Sequence, residues 1–352
     1  MKLCMIVGHR KSKHCGVKDY SERLAASLTE LGVEAVVCAW EPWNLKSLAD
    51  VLSFLTKQRF DVVHVQYPSI GYRSSLVPHI LGALRTAPAS LVTFHEYSAL
   101  PRCQQVCAQI FRWTTKQMLF VSEFEQSCYN RNLGRIGAPQ TVIPIASNVP
   151  SHPQALLRRN VVLYFGQIRP NKGLEQFIEL ARLEPNSNQP FQCVIAGSAP
   201  DKHQVYFERL RADAPKSIEW RVDLSFADIA ELMASCAVAY LPFPDGVSSR
   251  RGSVLAAFAN GLPVISTCGP ATGSLEKAIL VAETPEQALI HIGHILNDTH
   301  YAQSVVAKAT ELVAYRSWPE IALQHKSLYQ RLLDGRAPSC VDLKINHSDR
   351  HF

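Results

Sequence analysis

The sequence has no apolar run long enough to span a bilayer. It has ten cysteines, but no set of them, with or without histidine, at zinc-binding spacing. Only Cys103 and Cys107 are close, at the i,i+4 spacing of a helix. A structural metal is therefore not expected. Several cysteines sit inside apolar patterns, where the thiol acts as a small hydrophobe. Their scatter suits a reducing, cytoplasmic setting. There is no low-complexity tract and no short-period repeat. No G-x-G-x-x-G is present, so the usual dinucleotide signature is missing. Finally, no glutamate stands between positions 231 and 276.

What is present is the composition of a soluble globular protein. The 352 residues are 47% hydrophobic and 19% charged, enough for two domains with cores that need no staple. The net charge of +6 is a mild excess that suits phosphorylated ligands or anionic lipid. It is too weak and too scattered to argue for nucleic acid. The one dense basic tract, residues 10–13, reads as a loop or a solvated face. The chain runs from Met1-Lys2 straight into "LCMIV", too short for a signal h-region.

The first half alternates strand and helix patterns. "LCMIVG", "EAVVCAW", "DVVHVQYP", "SLVTFHEY", "QMLFVS" and "QTVIPI" read as strands. "DYSERLAASLTELG", "LKSLADVLSFLTKQ" and the stretches 77–84 and 123–133 read as helices. Continuous apolar strands between helices require a parallel sheet covered on both faces, a doubly wound Rossmann-like α/β domain. "NVPSHPQALLRR", residues 148–159, breaks the pattern and reads as a linker. The alternation then restarts with "NVVLYFG", "GLEQFIELARL", "FQCVIAG", "KHQVYFERLRADA", "SIEWRV", "SFADIAELMASC", "AVAYLPF" and "LPVIST". The expected domains are 1–150, 151–316, a terminal helix at 317–333 and a polar tail at 334–352. Two such units in tandem imply a cleft lined by strand C-terminal ends and helix N-termini.

Four stretches could carry chemistry. In "KHCGVKDYSERLA", Gly16 lies in the turn between strand one and helix one, where a ligand can approach backbone N–H groups. The competing reading makes Gly16 a turn residue and Asp19 a helix cap. In "VTFHEYS", His95 and Glu96 stand at the C-terminal end of a strand, where open α/β sheets bind ligands. In "LYFGQIRPNKGLEQF", Arg169 and Lys172 precede a helix beginning near Gly173. Cations there oppose the helix macrodipole, so an anion between them would offset the repulsion. "DGVSSRRGSVLAAFANG" repeats that arrangement with Arg250, Arg251, Gly252 and Ser253. Arginine presents a planar fork matched to phosphate oxygens. Two such loops in one domain point to a diphosphate held from two sides.

These stretches, with "YRSWPEIA", fall in the order seen in family-4-type glycosyltransferases of the GT-B fold. The chain resembles that family over nearly its whole length. The resemblance implies two Rossmann-like domains, with the nucleotide-diphosphate sugar donor in the C-terminal one and the acceptor side in the N-terminal one. It implies a terminal helix that returns to the N-terminal domain, transfer with retention of configuration, and no metal or other cofactor. It puts Gly16 near the donor phosphates and acceptor, His95 beside the transferred sugar and Lys172 on the diphosphate. It also suggests a glycan or lipid-linked acceptor.

Two positions depart from the family pattern. Gln167 stands where an arginine is usual, with Arg169 two residues on. The paired glutamates of the donor motif fall on Ser248 and Ala256, so the ribose loses its carboxylate. Asp245 is the only acid nearby. Catalysis is assigned to His95, Arg169 and Lys172. Donor binding is assigned to Gly16, Asp245, Arg250, Arg251, Gly252 and Ser253. Two alternatives stand beside transfer: a GT-B sugar-nucleotide epimerase, and a non-catalytic binding protein on the same fold. "RCQQVCAQIFRWTTKQ", residues 102–117, places Arg102, Arg112 and Lys116 beside Ile110, Phe111 and Trp113. It reads either as a core-facing helix or as peripheral contact with the inner face of a membrane.

Overall fold

A computed structural model describes residues 1–9, 16–73, 75–84, 86–154, 157–186 and 189–335. The basic tract at 10–13 and the tail beyond Gly335 lie outside the described residues. The chain forms two compact units. One holds Met1–Ile145 and the last helix, the other Ala146–Ser317.

The strands of the first unit are β1 (Lys2–Val7), β2 (Glu34–Ala39), β3 (Val62–Tyr67), β4 (Ala89–Phe94), β5 (Gln117–Phe120) and β6 (Gln140–Val142). They form one parallel sheet in the order β2-β1-β3-β4-β5-β6. Its helices are α1 (Gly16–Glu30), α2 (Leu45–Gln58), α3 (Val77–Ile80), α4 (Arg102–Ala108), α5 (Phe111–Thr114) and α6 (Glu123–Asn130). Because α1 already includes Gly16, Asp19 lies inside its first turn and is not the cap that one reading expected. α2 begins where the Asn44 side chain accepts from the N–H groups of Lys46 and Ser47.

Residues alternate across the sheet, so its two faces differ. One carries Ile6, Val65, Tyr67, Val92, Phe94 and Phe120 in an aromatic-rich core. The other carries His64, Gln66 and Thr93, all buried. Thr93 lies opposite Gln66 in the parallel register. The sequence pattern of continuous apolar strands did not disclose this buried polar face.

The stretch 102–117 is not one amphipathic helix. It breaks between α4 and α5, and Arg112 is 1% exposed. The Arg112 guanidinium donates to the carbonyls of Gly134 and Ile136, both at 2.8 Å, and lies 4.5 Å over the Tyr129 ring. It fastens a loop and is not part of a basic surface. Trp113 and Val106 remain exposed.

The second unit holds β7 (Arg159–Phe165), β8 (Gln192–Gly197), β9 (Glu219–Val222), β10 (Cys236–Leu241), β11 (Val264–Ser266) and β12 (Leu280–Val281). Its helices are α7 (Leu174–Leu183), α8 (Gln204–Asp213), α9 (Phe226–Ser235), α10 (Gly252–Ala259), α11 (Pro285–Asn297) and α12 (Thr299–Val313). The sheet is parallel in the order β12-β11-β10-β7-β8-β9. The chain leaves β7 toward β8 and β9, then returns to β7's other side with β10. β7 and β10 therefore flank the switch point, outside whose C-terminal ends open sheets bind ligands.

The last helix, α13 (Trp318–Leu333), packs in the first unit against α1 and the polar face of its sheet. Tyr329 is fully buried there, with its hydroxyl 2.8 Å from His64 Nδ1. No described helix is long and apolar enough to cross a membrane.

Candidate functional site

The loops after β7 and β10 lie side by side at the switch point of the second unit. Gly173, at φ 79°, is the N-cap of α7. A Cβ there would stand 1.8 Å from the Pro242 carbonyl oxygen, so the loop after β7 rests directly on the end of β10. The buried Tyr164 of β7 donates its hydroxyl to the Lys172 carbonyl at 3.0 Å, which pins the same loop from below. Burial pushes the Tyr164 phenol up, and Arg251 and Arg169 both pull it back. The two cationic loops therefore act on one point.

Neither helix that starts here has a side-chain cap. α7 opens at Gly173 and α10 at Arg251, each without a capping hydrogen bond. α2, α6, α9, α11 and α12 have one, whereas α8 and the short α3, α4 and α5 also start without it. Uncapped first-turn N–H groups leave donors unspent, and the dipole adds partial positive charge. Two such termini at adjacent strand ends form a cradle of N–H donors carrying partial positive charge.

Arg251 is largely enclosed, its side chain 11% exposed. Its guanidinium stacks over the Phe243 ring with Cζ 4.0 Å from the centroid. Burial lowers its pKa, the paired Asp245 carboxylate raises it, and Arg250 next door lowers it again. Asp245 is thus engaged with Arg251, though its own side chain is 66% exposed. Arg169 Nε donates to Gln167 Oε1 at 3.3 Å, which orients it across the loop. Two carboxylates, Asp245 and Glu175 in the first turn of α7, stand beside Arg169, Lys172, Arg250 and Arg251, which leaves the site net positive. Gly252 is exposed, and a Cβ built on it would meet nothing within 4 Å among the described residues. Ser248 lies buried in the loop after β10, its hydroxyl without a partner among the described residues. Tyr164 and Ser248 lie in the stretches that could carry chemistry and Phe243 just before one, but none of the three was assigned to the site from sequence. A tyrosine inside an apolar strand gives no sign of where its hydroxyl ends.

In the first unit, His95 directly follows β4, and its N–H extends the ladder to the Tyr67 carbonyl at 2.8 Å. Its ring Nε2 is 2.9 Å from Gln66 Oε1. The Tyr20 ring of α1 meets it edge-on at 4.8 Å and also touches the Trp318 ring at 5.4 Å. Burial, helped by His325, pushes the His95 pKa down to about 3. The ring is therefore neutral at ordinary pH, suited to accepting or donating a hydrogen bond and not to serving as a cation. His64, bonded to Thr93 at 2.7 Å, and His325, bonded to the Ile321 carbonyl at 2.8 Å, are likewise held below the usual range by burial. Gly16 opens α1 with no neighbour a Cβ would meet within 4 Å among the described residues. Gly16 and His95 belong to the first unit, and all the other assigned residues belong to the second. Among the described residues, no group of three or more His, Cys, Asp or Glu is placed to hold a metal.

Residues 159–298 match the family model for glycosyl transferases group 1. That segment contains both cationic loops. Solved structures match over almost the whole chain. HepE of Anabaena, in complex with UDP and glucose, matches with a TM-score of 0.72 at 14% identity, covering 94% of this chain and 99% of its own. A sucrose-phosphate synthase from Thermosynechococcus elongatus gives 0.70 at 16% identity, with 95% and 99% covered. A glycosyltransferase from Rickettsia africae gives 0.73 at 16%, with 94% and 98% covered. The fold is therefore that of the GT-B glycosyltransferases. A search of curated proteins by sequence finds no match.

Proposed function

We propose that this protein is a glycosyltransferase that takes a sugar from a nucleotide-diphosphate donor. The observation that carries the reading is the cradle at the β7/β10 switch point: two uncapped helix N-termini beside four cations and two carboxylates. A diphosphate leaving group matches that site in charge and in number of acceptors. The group 1 match over the same residues and the UDP held by HepE support the choice of donor class.

In this reading Arg169, Lys172, Arg250 and Arg251 stabilise the departing diphosphate, with backbone help from Gly252 and Ser253. His95, as a neutral imidazole, hydrogen-bonds the transferred sugar. Gly16 leaves room for the donor phosphates and the acceptor. Transfer goes with retention to a hydroxyl of a glycan or lipid-linked acceptor, with no resident metal or other cofactor. The setting is cytoplasmic, with the exposed Trp113 and Val106 surface touching the inner face of a membrane.

Calorimetric titration with UDP, UMP and uridine tests the cradle. Lys172→Ala should weaken UDP binding by about 1.5–3 kcal/mol, the range for charged hydrogen bonds, and leave uridine unaffected. Equal UDP affinity in the two proteins would refute the assignment. A second reading, a donor-binding protein without transfer, is favoured by Ser248 and Ala256 standing where the family pattern has glutamates. Product analysis with UDP-glucose separates transfer, epimerisation and simple binding.

A further inference from the structure

Gln66 is the penultimate residue of β3 and is fully buried. Its Oε1 is 2.9 Å from His95 Nε2. Its Nε2 is buried with no partner among the described residues. A buried amide with half its bonding capacity unmet carries a desolvation cost that its single hydrogen bond only partly offsets. Stability therefore does not explain this residue, and its one completed bond becomes the feature to explain.

That bond has a direction. In this amide orientation Oε1 faces the ring and accepts, so His95 Nε2 carries the proton and donates it. In a neutral ring Nδ1 is then a bare acceptor. Nδ1 makes no hydrogen bond to any described residue, so its lone pair is unspent. The Tyr20 ring against the imidazole edge fixes the ring plane. We propose that Gln66 is a positioning residue, whose amide oxygen holds the His95 Nε2–H and so leaves Nδ1 as the acceptor offered to a hydroxyl of the donor sugar. The inference rests on the reading of His95 as the residue beside that sugar. It adds which ring nitrogen does the work and what fixes it.

The titratable groups around His95 are Tyr20 on α1, His64 on β3, and His325 and Tyr329 on α13, with Glu96 next in the chain. Those packed beneath it favour a neutral ring. Changing Gln66 to a carboxylate would reverse that balance.

The test begins with ring 15N spectra of the full chain, with His95 identified by comparison with His95→Asn. Wild type should show the Nε2–H tautomer at His95. The Nδ1–H tautomer, or an even mixture, would overturn the inference without any variant or substrate. Gln66→Leu removes the acceptor of a buried N–H, so it should lower the melting temperature only slightly and let the tautomers mix. It should keep UDP affinity and lower kcat for UDP release from UDP-glucose by about tenfold or more, with KM within about twofold. A lowered melting temperature with unchanged tautomer would show a merely structural glutamine. Gln66→Glu should keep a proton on both ring nitrogens, so an acidic limb appears in its rate profile and activity recovers as pH rises. A profile parallel to wild type would also overturn the inference. A wild type that neither binds UDP nor releases it from UDP-glucose would remove the proposed function, while the tautomer measurement judges Gln66 independently.

Discussion

Two glycines separate what the cradle needs for folding from what it needs for its ligand. Gly252 opens α10 and is exposed, with no neighbour a Cβ would meet within 4 Å among the described residues. Its φ is not in the left-handed region, so alanine fits the backbone. Gly252→Ala should leave the protein as stable as before or better, by up to about 1 kcal/mol from helix propensity. If phosphate oxygens approach the N–H groups there, the added methyl intrudes on them. A tenfold loss of UDP affinity, about 1.4 kcal/mol, is the expected result. Gly173→Ala should behave in the opposite way. Its φ of 79° disfavours alanine by about 1–2 kcal/mol. Its Cβ would start 1.8 Å from the Pro242 carbonyl oxygen, and real contacts stop near 3.0 Å, so something must shift by at least about 1.2 Å. Such overpacking adds about 1–3 kcal/mol. Gly173→Ala should therefore unfold at markedly lower temperature. It should also lose UDP binding, because the loop after β7 is pushed off β10. Thermal denaturation and calorimetric UDP titration on both variants form the assay. Full UDP affinity in Gly252→Ala, with stability kept, would refute the claim that the ligand's phosphates touch the start of α10.

Four buried histidines should make the fold acid-sensitive. The unfolded chain takes up their protons below about pH 6.5, whereas in the fold His79 and His325 titrate at about 4 and His95 at about 3, and burial holds His64 well below its ordinary range. Stability is then fully present above pH 6.5 and lost as pH falls toward 4, by up to about 1.4 kcal/mol per pH unit for each histidine; urea unfolding of His325→Asn across that window should show a shallower slope. Trp113→Ser should abolish salt-sensitive binding to phosphatidylglycerol vesicles, and absence of binding by wild type at low salt would remove the membrane contact. Arg112→Ala should instead cost about 3 kcal/mol or more of stability, since several carbonyls lose a charged donor. UDP and 2′-deoxy-UDP should bind within a few-fold of each other, since a site built around that hydroxyl rejects the analogue far more strongly. Discrimination that vanishes in Asp245→Asn would assign the ribose to Asp245.

The order of strands and helices was legible because apolar runs and their breaks follow from burial alone. The loop cations were legible because a charge at a helix start conflicts with the dipole and calls for an explanation. Arg112 was misleading for the opposite reason. In sequence it stands beside Lys116 and Trp113 as part of a basic, aromatic stretch. Its partners are the carbonyls of Gly134 and Ile136, more than twenty residues away and with no side-chain signature. The polar seam was invisible in the same way. His64 and Gln66 alternate with valine and tyrosine inside a strand that otherwise reads as core. Only the packing of α13, some 260 residues later, brings Tyr329 to His64. Asp19 was misread as a cap because the helix starts three residues earlier, at Gly16.

The missing glutamate is more than a substituted side chain. Ala256 is fully buried, and Val254, Leu255, Ala257 and Phe258 around it on α10 are buried too. The helix is anchored in the core on the turn where the family pattern has a carboxylate. Ala256→Glu would therefore place a charge among apolar groups, at a cost of several kcal/mol or with its pKa driven up until it is neutral. Ser248, where the other glutamate would stand, is buried as well, and a hydroxyl is all it offers. What the site presents is almost entirely donors: two helix starts, two adjacent arginines, Arg169 and Lys172. Of its carboxylates, Asp245 is committed to Arg251 and Glu175 accepts from the Tyr206 hydroxyl. A ligand recognised here must supply acceptors and negative charge, which phosphates do and ribose hydroxyls do poorly. Selectivity at this end should follow phosphate number first, and the choice among nucleosides must come from groups other than the start of α10.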